Sequence, residues 1–144
     1  MFTLNDKDGN SIALKDLTSQ YTILYFYPKD NTPGCTTEAL MFNKHIPDFN
    51  KLGAQIIGIG GGDDTSKKKF CEKNNLVLTL LSDPDFKVSK KYGAYGQKKL
   101  WGEVFNGINR VTYVLDEDKT ILKVFDKVKP KDHAQELLEF LKSH

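Results

Sequence analysis

Cysteines and long apolar runs are both scarce in this sequence, and their scarcity excludes several classes of protein. Only two of the 144 residues are cysteine, which is too few for a small disulfide-stabilised scaffold. The longest apolar run, residues 23–27, is far shorter than the roughly 20 residues that span a bilayer. Residues 1–8 lack the basic and apolar regions of a signal peptide. We therefore expect a cytoplasmic protein, not bound to a membrane, whose thiols are free.

An excess of charge of one sign is also missing. The 21 lysines and arginines are interspersed with 19 aspartates and glutamates, which leaves a formal net charge of +2. Such a balance does not indicate a nucleic-acid partner. The chain is 39% hydrophobic and 28% charged, which is typical of one ordinary globular domain, and we expect that domain to span residues 1–144.

Motifs for nucleotides and metals are incomplete. Residues 58–63 are rich in glycine, but Asp63 stands where a dinucleotide-binding loop requires glycine or alanine. No Gly-Lys-Ser/Thr of a phosphate-binding loop follows. The three histidines are scattered, and neither cysteine has a second cysteine at the spacing of a zinc site. The sequence therefore predicts neither a bound nucleotide nor a metal.

The apolar segments predict an α/β fold in which a mixed sheet is flanked by helices. Asp8-Gly9, between two short β-prone segments, is typical of a hairpin and predicts one near the N-terminus. Residues 22–27 are apolar on both faces of a strand, as in a central strand that is covered on both sides. Further strands are predicted at residues 55–59, 76–81, 110–115 and 120–125.

Four helices are predicted between and after these strands. They cover residues 36–46, 67–74, 84–92 and the segment after residue 132. We expect one of residues 64–66 to cap the second helix, and Asp132 to cap the last one in a capping box with Gln135. Residues 93–109 contain four glycines and show no sustained period, so we predict a long ordered loop there.

Cys35 is the first candidate for a reactive residue. The apolar strand at residues 22–27 leads into the turn Pro33-Gly34, and a helix begins around Cys35. Unpaired N–H groups and the positive end of the helix dipole favour a thiolate at such a position. Folds of the α/β class also place their chemistry at the carboxyl ends of strands. The alternative is an inert buried cysteine.

Pro28, Thr32 and Cys35 follow the pattern Pro-x-x-x-Thr-x-x-Cys, which resembles the active-site motif of the peroxiredoxins. More narrowly, residues 24–36 resemble the branch named after the bacterioferritin comigratory protein, also called peroxiredoxin Q. Further matches to that branch are residues 51–54, 80–84, 90–93 and 107–110. The resemblance extends over nearly the whole chain from the hairpin near Gly9, although the family usually has several more residues before this hairpin.

The resemblance implies a thioredoxin-like fold of the peroxiredoxin type and thiol-dependent peroxidase activity. Such an enzyme reduces hydrogen peroxide and organic hydroperoxides without a metal, haem or flavin. It receives electrons from thioredoxin or a similar dithiol protein, and it is often a monomer. Two other classes stay open. One is a thioredoxin-like disulfide oxidoreductase, although Thr32 and Glu38 stand where its Cys-x-x-Cys would need cysteine. The other is a non-catalytic interaction protein with the same fold.

The resemblance also implies roles for individual residues. Cys35 is the nucleophile, Thr32 places a hydroxyl beside its sulfur, and Pro28 shapes and dries the pocket. Arg110 matches the family arginine, whose guanidinium offers several donors to the thiolate and the peroxide. From its spacing alone, Arg110 is equally a surface arginine at a strand end. Glu38 either hydrogen-bonds within the active-site turn or complements the helix dipole.

Cys71 is the candidate resolving cysteine. In many members of this branch that cysteine lies five residues after the first, where this chain has Leu40. Other members place it on the following helix, and the 36 residues that separate Cys71 from Cys35 match that arrangement. The resemblance then implies that Cys71 attacks the sulfenic acid of Cys35 and forms an intramolecular disulfide.

Neighbouring residues suggest how Cys71 would act. Four nearby lysines are expected to favour its thiolate, namely Lys67, Lys68, Lys69 and Lys73. A disulfide requires Cα atoms within roughly 7 Å, so we predict that both helices unwind locally. The alternative is that Cys71 packs with Phe70 and an external thiol resolves Cys35. Aromatic residues between Tyr95 and Phe105, including Trp101, are expected to help dock the reductant or apolar hydroperoxides.

Overall fold

The computed structural model describes residues 2–100 and 103–143. Side chains are described for all of these residues except those in the range 98–105. The elements are, in order, β1 (Thr3–Asn5), β2 (Ser11–Ala13), β3 (Tyr21–Tyr27), α1 (Pro33–Lys44), α2 (Ile46–Lys51), β4 (Ala54–Gly60), α3 (Asp64–Asn74), β5 (Thr79–Ser82), α4 (Lys87–Lys91), β6 (Tyr95–Leu100), β7 (Glu103–Ile108), β8 (Val111–Leu115), β9 (Ile121–Phe125) and α5 (His133–Lys142). None of the helices in the described ranges combines the length and apolar character needed to traverse a bilayer.

Seven strands form one mixed sheet in the order β2-β1-β5-β4-β3-β8-β9. β3 runs parallel to β4 and β4 runs parallel to β5, whereas β8 is antiparallel to both β3 and β9. The predicted mixed sheet is therefore confirmed. The predicted N-terminal hairpin is also present, since β1 pairs antiparallel with β2. Gly9 in its turn has a left-handed φ of 79°, which glycine adopts without steric cost.

β3 is buried over nearly its whole length because both faces of the sheet are covered. Ile23, Tyr25 and Tyr27 enter a core that is shared with α1, α3 and α5. Leu24 and Phe26 enter the opposite core, which includes residues of α4 and the end of β7. This confirms the prediction of a strand covered on both sides. It also places the C-terminal end of β3, where the chain turns into α1, inside the protein.

The prediction of a long ordered loop at residues 93–109 is wrong. β6 and β7 pair in antiparallel register, from Tyr95 opposite Ile108 to Leu100 opposite Glu103, and form a separate two-stranded sheet. The sequence conceals this hairpin because its glycines and charged residues break the two-residue apolar period that normally indicates strands. Backbone hydrogen bonds, which require no particular side chain, define the pairing.

One predicted helix cap is wrong, and the other is right in position only. α3 is capped by Asp63, whose carboxylate accepts the N–H of Ser66 at 2.8 Å, and none of residues 64–66 caps it. Asp63 has the extended backbone that an N-cap requires. Asp132 is the N-cap residue of α5, as predicted, but its side chain makes no capping bond, so the predicted capping box with Gln135 does not form.

Candidate active site

Cys35 is the third residue of α1, which begins six residues after β3 ends. Thr32 precedes the helix and has extended backbone angles. Pro33 occupies the first helical position, where a backbone N–H would have no partner within the helix, so its absence costs no hydrogen bond. The N–H of Thr36 closes the first turn on the Thr32 carbonyl at 2.9 Å. The N–H of Cys35 therefore lacks an acceptor within the helix and contributes positive potential near the sulfur. The Cys35 side chain is a free thiol and is only 1% exposed.

Pro28 and Thr32 lie in the loop that joins β3 to α1. The Thr32 hydroxyl donates to the Lys29 carbonyl at 2.8 Å, which fixes the last turn before the helix. Because this bond uses the hydroxyl proton, the oxygen keeps lone pairs that can accept a hydrogen bond from a peroxide. Asn31 has a left-handed φ of 61°, which reverses the loop toward the helix. Pro28 is half-buried, and its shaping of the pocket stays a prediction.

Arg110 directly precedes β8, and the sheet brings it next to the start of α1. Its Nη1 atom donates to Oε1 of Glu38 at 3.1 Å. A Cβ atom added to Gly34 would lie 2.5 Å from Nη2 of Arg110, so the guanidinium packs against the residue that precedes Cys35. Only glycine leaves room for it there. The structure therefore brings together the arginine and the helix start that the resemblance connects.

Glu38 lies almost one turn after Cys35 on α1, beyond the first turn, and its side chain is 1% exposed. Burial raises the pKa of Glu38 to about 7, against the lowering effect of Arg110. Its second oxygen, Oε2, has no hydrogen-bond partner among the described residues. Of its two possible roles, the structure supports hydrogen bonding within the active site. The sequence offered one signal for this ion pair: Glu38 follows Cys35 on the same predicted helix, and Arg110 had no predicted partner.

Cys71 is a buried free thiol on α3 and belongs to the same core as Cys35. Burial raises the pKa of the Cys71 thiol, and this effect exceeds the opposing effects of Lys7 and Lys67. Of the four lysines expected to favour its thiolate, Lys67 does lower the pKa, but burial outweighs it and the net shift is upward. Lys67 is buried and paired with Asp30 at 2.8 Å. The side chains of the other three lysines extend into solvent, namely Lys68, Lys69 and Lys73.

Tyr25, which the sequence indicates only as a core residue, lies in electrostatic range of both thiols. Burial raises its pKa well above the ordinary value, with further raising effects from Glu38, Cys35 and Cys71. Its ring packs on Phe42 with centroids 4.6 Å apart. Its hydroxyl is buried and has no hydrogen-bond partner within the described residues. A neutral phenol therefore occupies the interior beside the two cysteines.

The predicted docking aromatics fall mostly outside the part of the chain that the structure describes. Trp101 lies outside the described residues, and the side chain of Phe105 is likewise not described. The ring of Tyr95 packs against Phe86 with centroids 4.9 Å apart and lies 5.0 Å from Nζ of Lys90. Among the side chains that the structure describes, no group of three or more His, Cys, Asp and Glu is placed to hold a metal ion.

These features combine a thiol at a helix start, a guanidinium packed against that helix start and a second buried thiol on another helix. They stand on a mixed sheet whose two faces are covered by helices and a hairpin. This is the arrangement of a thioredoxin-fold peroxiredoxin, an enzyme that uses a cysteine to reduce peroxides.

Comparison with known proteins agrees with this class. Residues 1–124 match the model of the AhpC/TSA family. The chain is 39% identical to a putative peroxiredoxin Bcp of Haemophilus influenzae, over 99% of this chain and 92% of that protein. It is 40% identical to peroxiredoxin Bcp of Bacillus subtilis, over 96% of this chain and 88% of that protein. A solved structure of the Xanthomonas campestris bacterioferritin comigratory protein has a TM-score of 0.92 at 34% identity, covering 99% of this chain and 91% of that one.

The chain therefore belongs to the AhpC/TSA family, and its high-coverage relatives are Bcp peroxiredoxins. The resemblance drawn from the motif around Cys35 is confirmed, as is the thioredoxin-like fold of the peroxiredoxin type. The protein is a peroxidase of the oxidoreductase class.

Proposed function

We propose that this peroxidase reduces hydrogen peroxide and organic hydroperoxides in a cycle that uses Cys35 and Cys71. The Cys35 thiolate attacks one peroxide oxygen, the O–O bond breaks, and water or an alcohol leaves after protonation. Cys35 is then a sulfenic acid. The Cys71 sulfur attacks it, an S–S bond forms, and the hydroxyl of the sulfenic acid leaves as water. Thioredoxin or a similar dithiol protein reduces the disulfide and is itself oxidised.

The contact between Arg110 and the start of α1 carries this proposal. The guanidinium packs against Gly34, the residue directly before Cys35, and the donors that Glu38 does not use can serve an incoming peroxide. Donors fixed before the reaction stabilise the charge that develops on the departing oxygen. Glu38 holds the guanidinium in this place. Thr32 supplies a hydroxyl oxygen to orient the peroxide, and Pro28 helps to shape the entrance.

We include organic hydroperoxides among the proposed substrates because a protein similar to this chain is described as reducing alkyl peroxides. The solved structures of the Xanthomonas campestris bacterioferritin comigratory protein are described in terms of its alkyl peroxide reduction activity. The reductant is expected to be a dithiol protein because an intramolecular disulfide is recovered by thiol–disulfide exchange. We propose that the enzyme works as a monomer in the cytoplasm, where such reductants keep thiols reduced.

Resolution by Cys71 requires movement. Both free thiols are buried on different helices, and both belong to the same packed core. We therefore propose that the first turn of α1 and part of α3 open before an S–S bond forms. The competing possibility is a one-cysteine enzyme, in which an external thiol attacks the sulfenic acid and Cys71 only packs.

The test is mass spectrometry of the reduced protein after one equivalent of hydrogen peroxide, with peptide mapping of both cysteines. A linked Cys35–Cys71 peptide lighter by two hydrogens supports the two-cysteine cycle. Added oxygen on Cys35 alone supports resolution by an external thiol. A Cys71→Ser variant is the matched control, because it should accumulate oxidised Cys35 at an unchanged rate of peroxide consumption in the first turnover. No change at Cys35 contradicts the proposal.

A further inference from the structure

A buried ion pair lies near the active site, and the proposed chemistry gives it no role. Nζ of Lys67 is 2.8 Å from Oδ2 of Asp30 and 2.5 Å from the carbonyl of Gly61. The two side chains are 0% and 3% exposed. Asp30 also accepts the Tyr27 hydroxyl on Oδ1 and the Ser66 hydroxyl on Oδ2, each at 2.7 Å. The carboxylate therefore has three side-chain donors and no need of water.

The position of this pair is specific. Asp30 lies in the loop between β3 and α1, five residues before Cys35. Lys67 lies in the first turns of α3, four residues before Cys71, so the two side chains share one face of that helix. The network thus joins the two segments that have to open before Cys35 and Cys71 can meet.

We propose that Asp30, Ser66 and Lys67 form a buried latch that makes these two segments open together. The proposal rests on the two-cysteine cycle described above. In the closed state the latch holds the loop between β3 and α1 against α3, which keeps Cys35 at the start of an intact helix. In the open state both charged groups reach water, and both cysteines become free to approach each other.

The physical reason for joint opening is the cost of an unpaired buried charge. If α3 opened alone, the Asp30 carboxylate would stay in the interior without its cation. If the loop opened alone, the Lys67 ammonium would stay without its anion. Either half-open state is strongly disfavoured, because removing one partner of a buried pair leaves an uncompensated charge. The fully closed and fully open states avoid this cost.

The latch also decides the fate of the sulfenic acid. In one outcome Cys71 attacks it, giving a disulfide and water. In the other a second hydroperoxide oxidises it, giving a sulfinic acid and an alcohol or water. A tighter latch delays the first outcome and thereby favours the second at high peroxide concentration. Asp30 and Lys67 are in this sense positioning residues for resolution.

The main experiment compares hydrogen exchange in the reduced, full-length protein and its Lys67→Met variant. We expect exchange to increase about tenfold or more in both residues 28–36 and residues 64–74, because Asp30 then loses its cation. A second variant, Asp30→Asn with Lys67→Met, removes both charges and should return both segments close to the original rates. An increase in one segment only, or no rescue by the double variant, would overturn the latch.

A control and a milder variant keep the result decisive. Leu115→Ala weakens the opposite core, far along β8 from Arg110, and should not raise exchange selectively in the two segments. If it does so to the same degree, lower overall stability explains the effect and the latch is refuted. If Lys67→Met does not fold, Ser66→Ala replaces it. Losing one hydrogen bond to Asp30 should raise exchange about threefold in both segments, and no rise would refute the latch.

The redox measurement separates this inference from the proposed function. After several equivalents of hydrogen peroxide, Lys67→Met should yield a higher ratio of disulfide to Cys35 sulfinic acid than the unsubstituted protein. An unchanged ratio in proteins that do form the disulfide would count against the latch alone. If the unsubstituted protein forms no Cys35–Cys71 disulfide, the two-cysteine cycle fails, and the exchange data still decide whether the segments open jointly.

Discussion

Replacing Glu38 with glutamine should change how the stability of this protein depends on pH. Burial raises the pKa of the Glu38 carboxyl from 4.5 to about 7. An acid whose pKa is higher in the folded chain contributes stability that is complete below the unfolded pKa. That contribution is lost as the pH rises through the folded pKa. Because a tenfold change in a protonation equilibrium corresponds to about 1.4 kcal/mol, the loss amounts to about 3 kcal/mol by about pH 8.

Glutamine keeps the size of the side chain but cannot ionise. The free energy of unfolding of Glu38→Gln, relative to that of the unsubstituted protein, should therefore rise by about 3 kcal/mol between about pH 4.5 and about pH 8. Urea unfolding of the reduced proteins, followed by circular dichroism at several pH values, measures this difference. Because the other titrating groups are the same in both proteins, their contributions cancel in the difference between the two free energies of unfolding.

The exposed Glu139 on α5 offers a matched control. Glu139→Gln removes a carboxyl that lies at the surface, so it controls for the loss of one acidic group without the loss of a buried one. A Glu38→Gln difference that stays constant with pH would refute the reasoning, because the ion pair with Arg110 would then balance the burial. The same variant should react more slowly with hydrogen peroxide, since an uncharged side chain holds the Arg110 guanidinium less firmly.

Three further changes probe the site. Gly34→Ala should displace the guanidinium of Arg110, because its Nη2 atom would lie 2.5 Å from the new Cβ. The first oxidation of Cys35, measured by stopped flow, should then slow by about tenfold. Unchanged rates would contradict the contact. Thr32→Val should lower the free energy of urea unfolding by about 1 kcal/mol, because it removes the hydrogen bond to Lys29. Trp101→Ala should raise the KM for the dithiol reductant or for apolar hydroperoxides, and unchanged kinetics with both would remove the docking role.

The main features of the fold and of the reactive site could be predicted from local sequence. Residues 22–27 are apolar in an unbroken run, and the core on each face of β3 explains why. The position of Cys35 followed from a strand, a Pro-Gly turn and a helix start, all of which are local signals. Arg110 was less determined, because only the sheet brings a residue before β8 to the start of α1.

What the sequence did not reveal depends on partners that are distant along the chain. Lys67 was expected to act on Cys71 together with three other lysines, but it is fully buried and paired with Asp30, 37 residues earlier. Glu38 is ion-paired with Arg110, 72 residues away. The β6–β7 hairpin was missed for a different reason, since its strands pair through the backbone and show no apolar alternation.

The burial of both thiols in one core has a consequence for the reduction potential of the enzyme. In the proposed two-cysteine cycle, folding stabilises the dithiol state, because Cys35 and Cys71 pack in one core as free thiols. By linkage, a packed dithiol makes the disulfide a stronger oxidant than an unstrained structural disulfide would be. If that cycle operates, refolding of the active site contributes to the driving force for reduction, and we expect even a weakly reducing dithiol protein to return the enzyme to its peroxide-ready form.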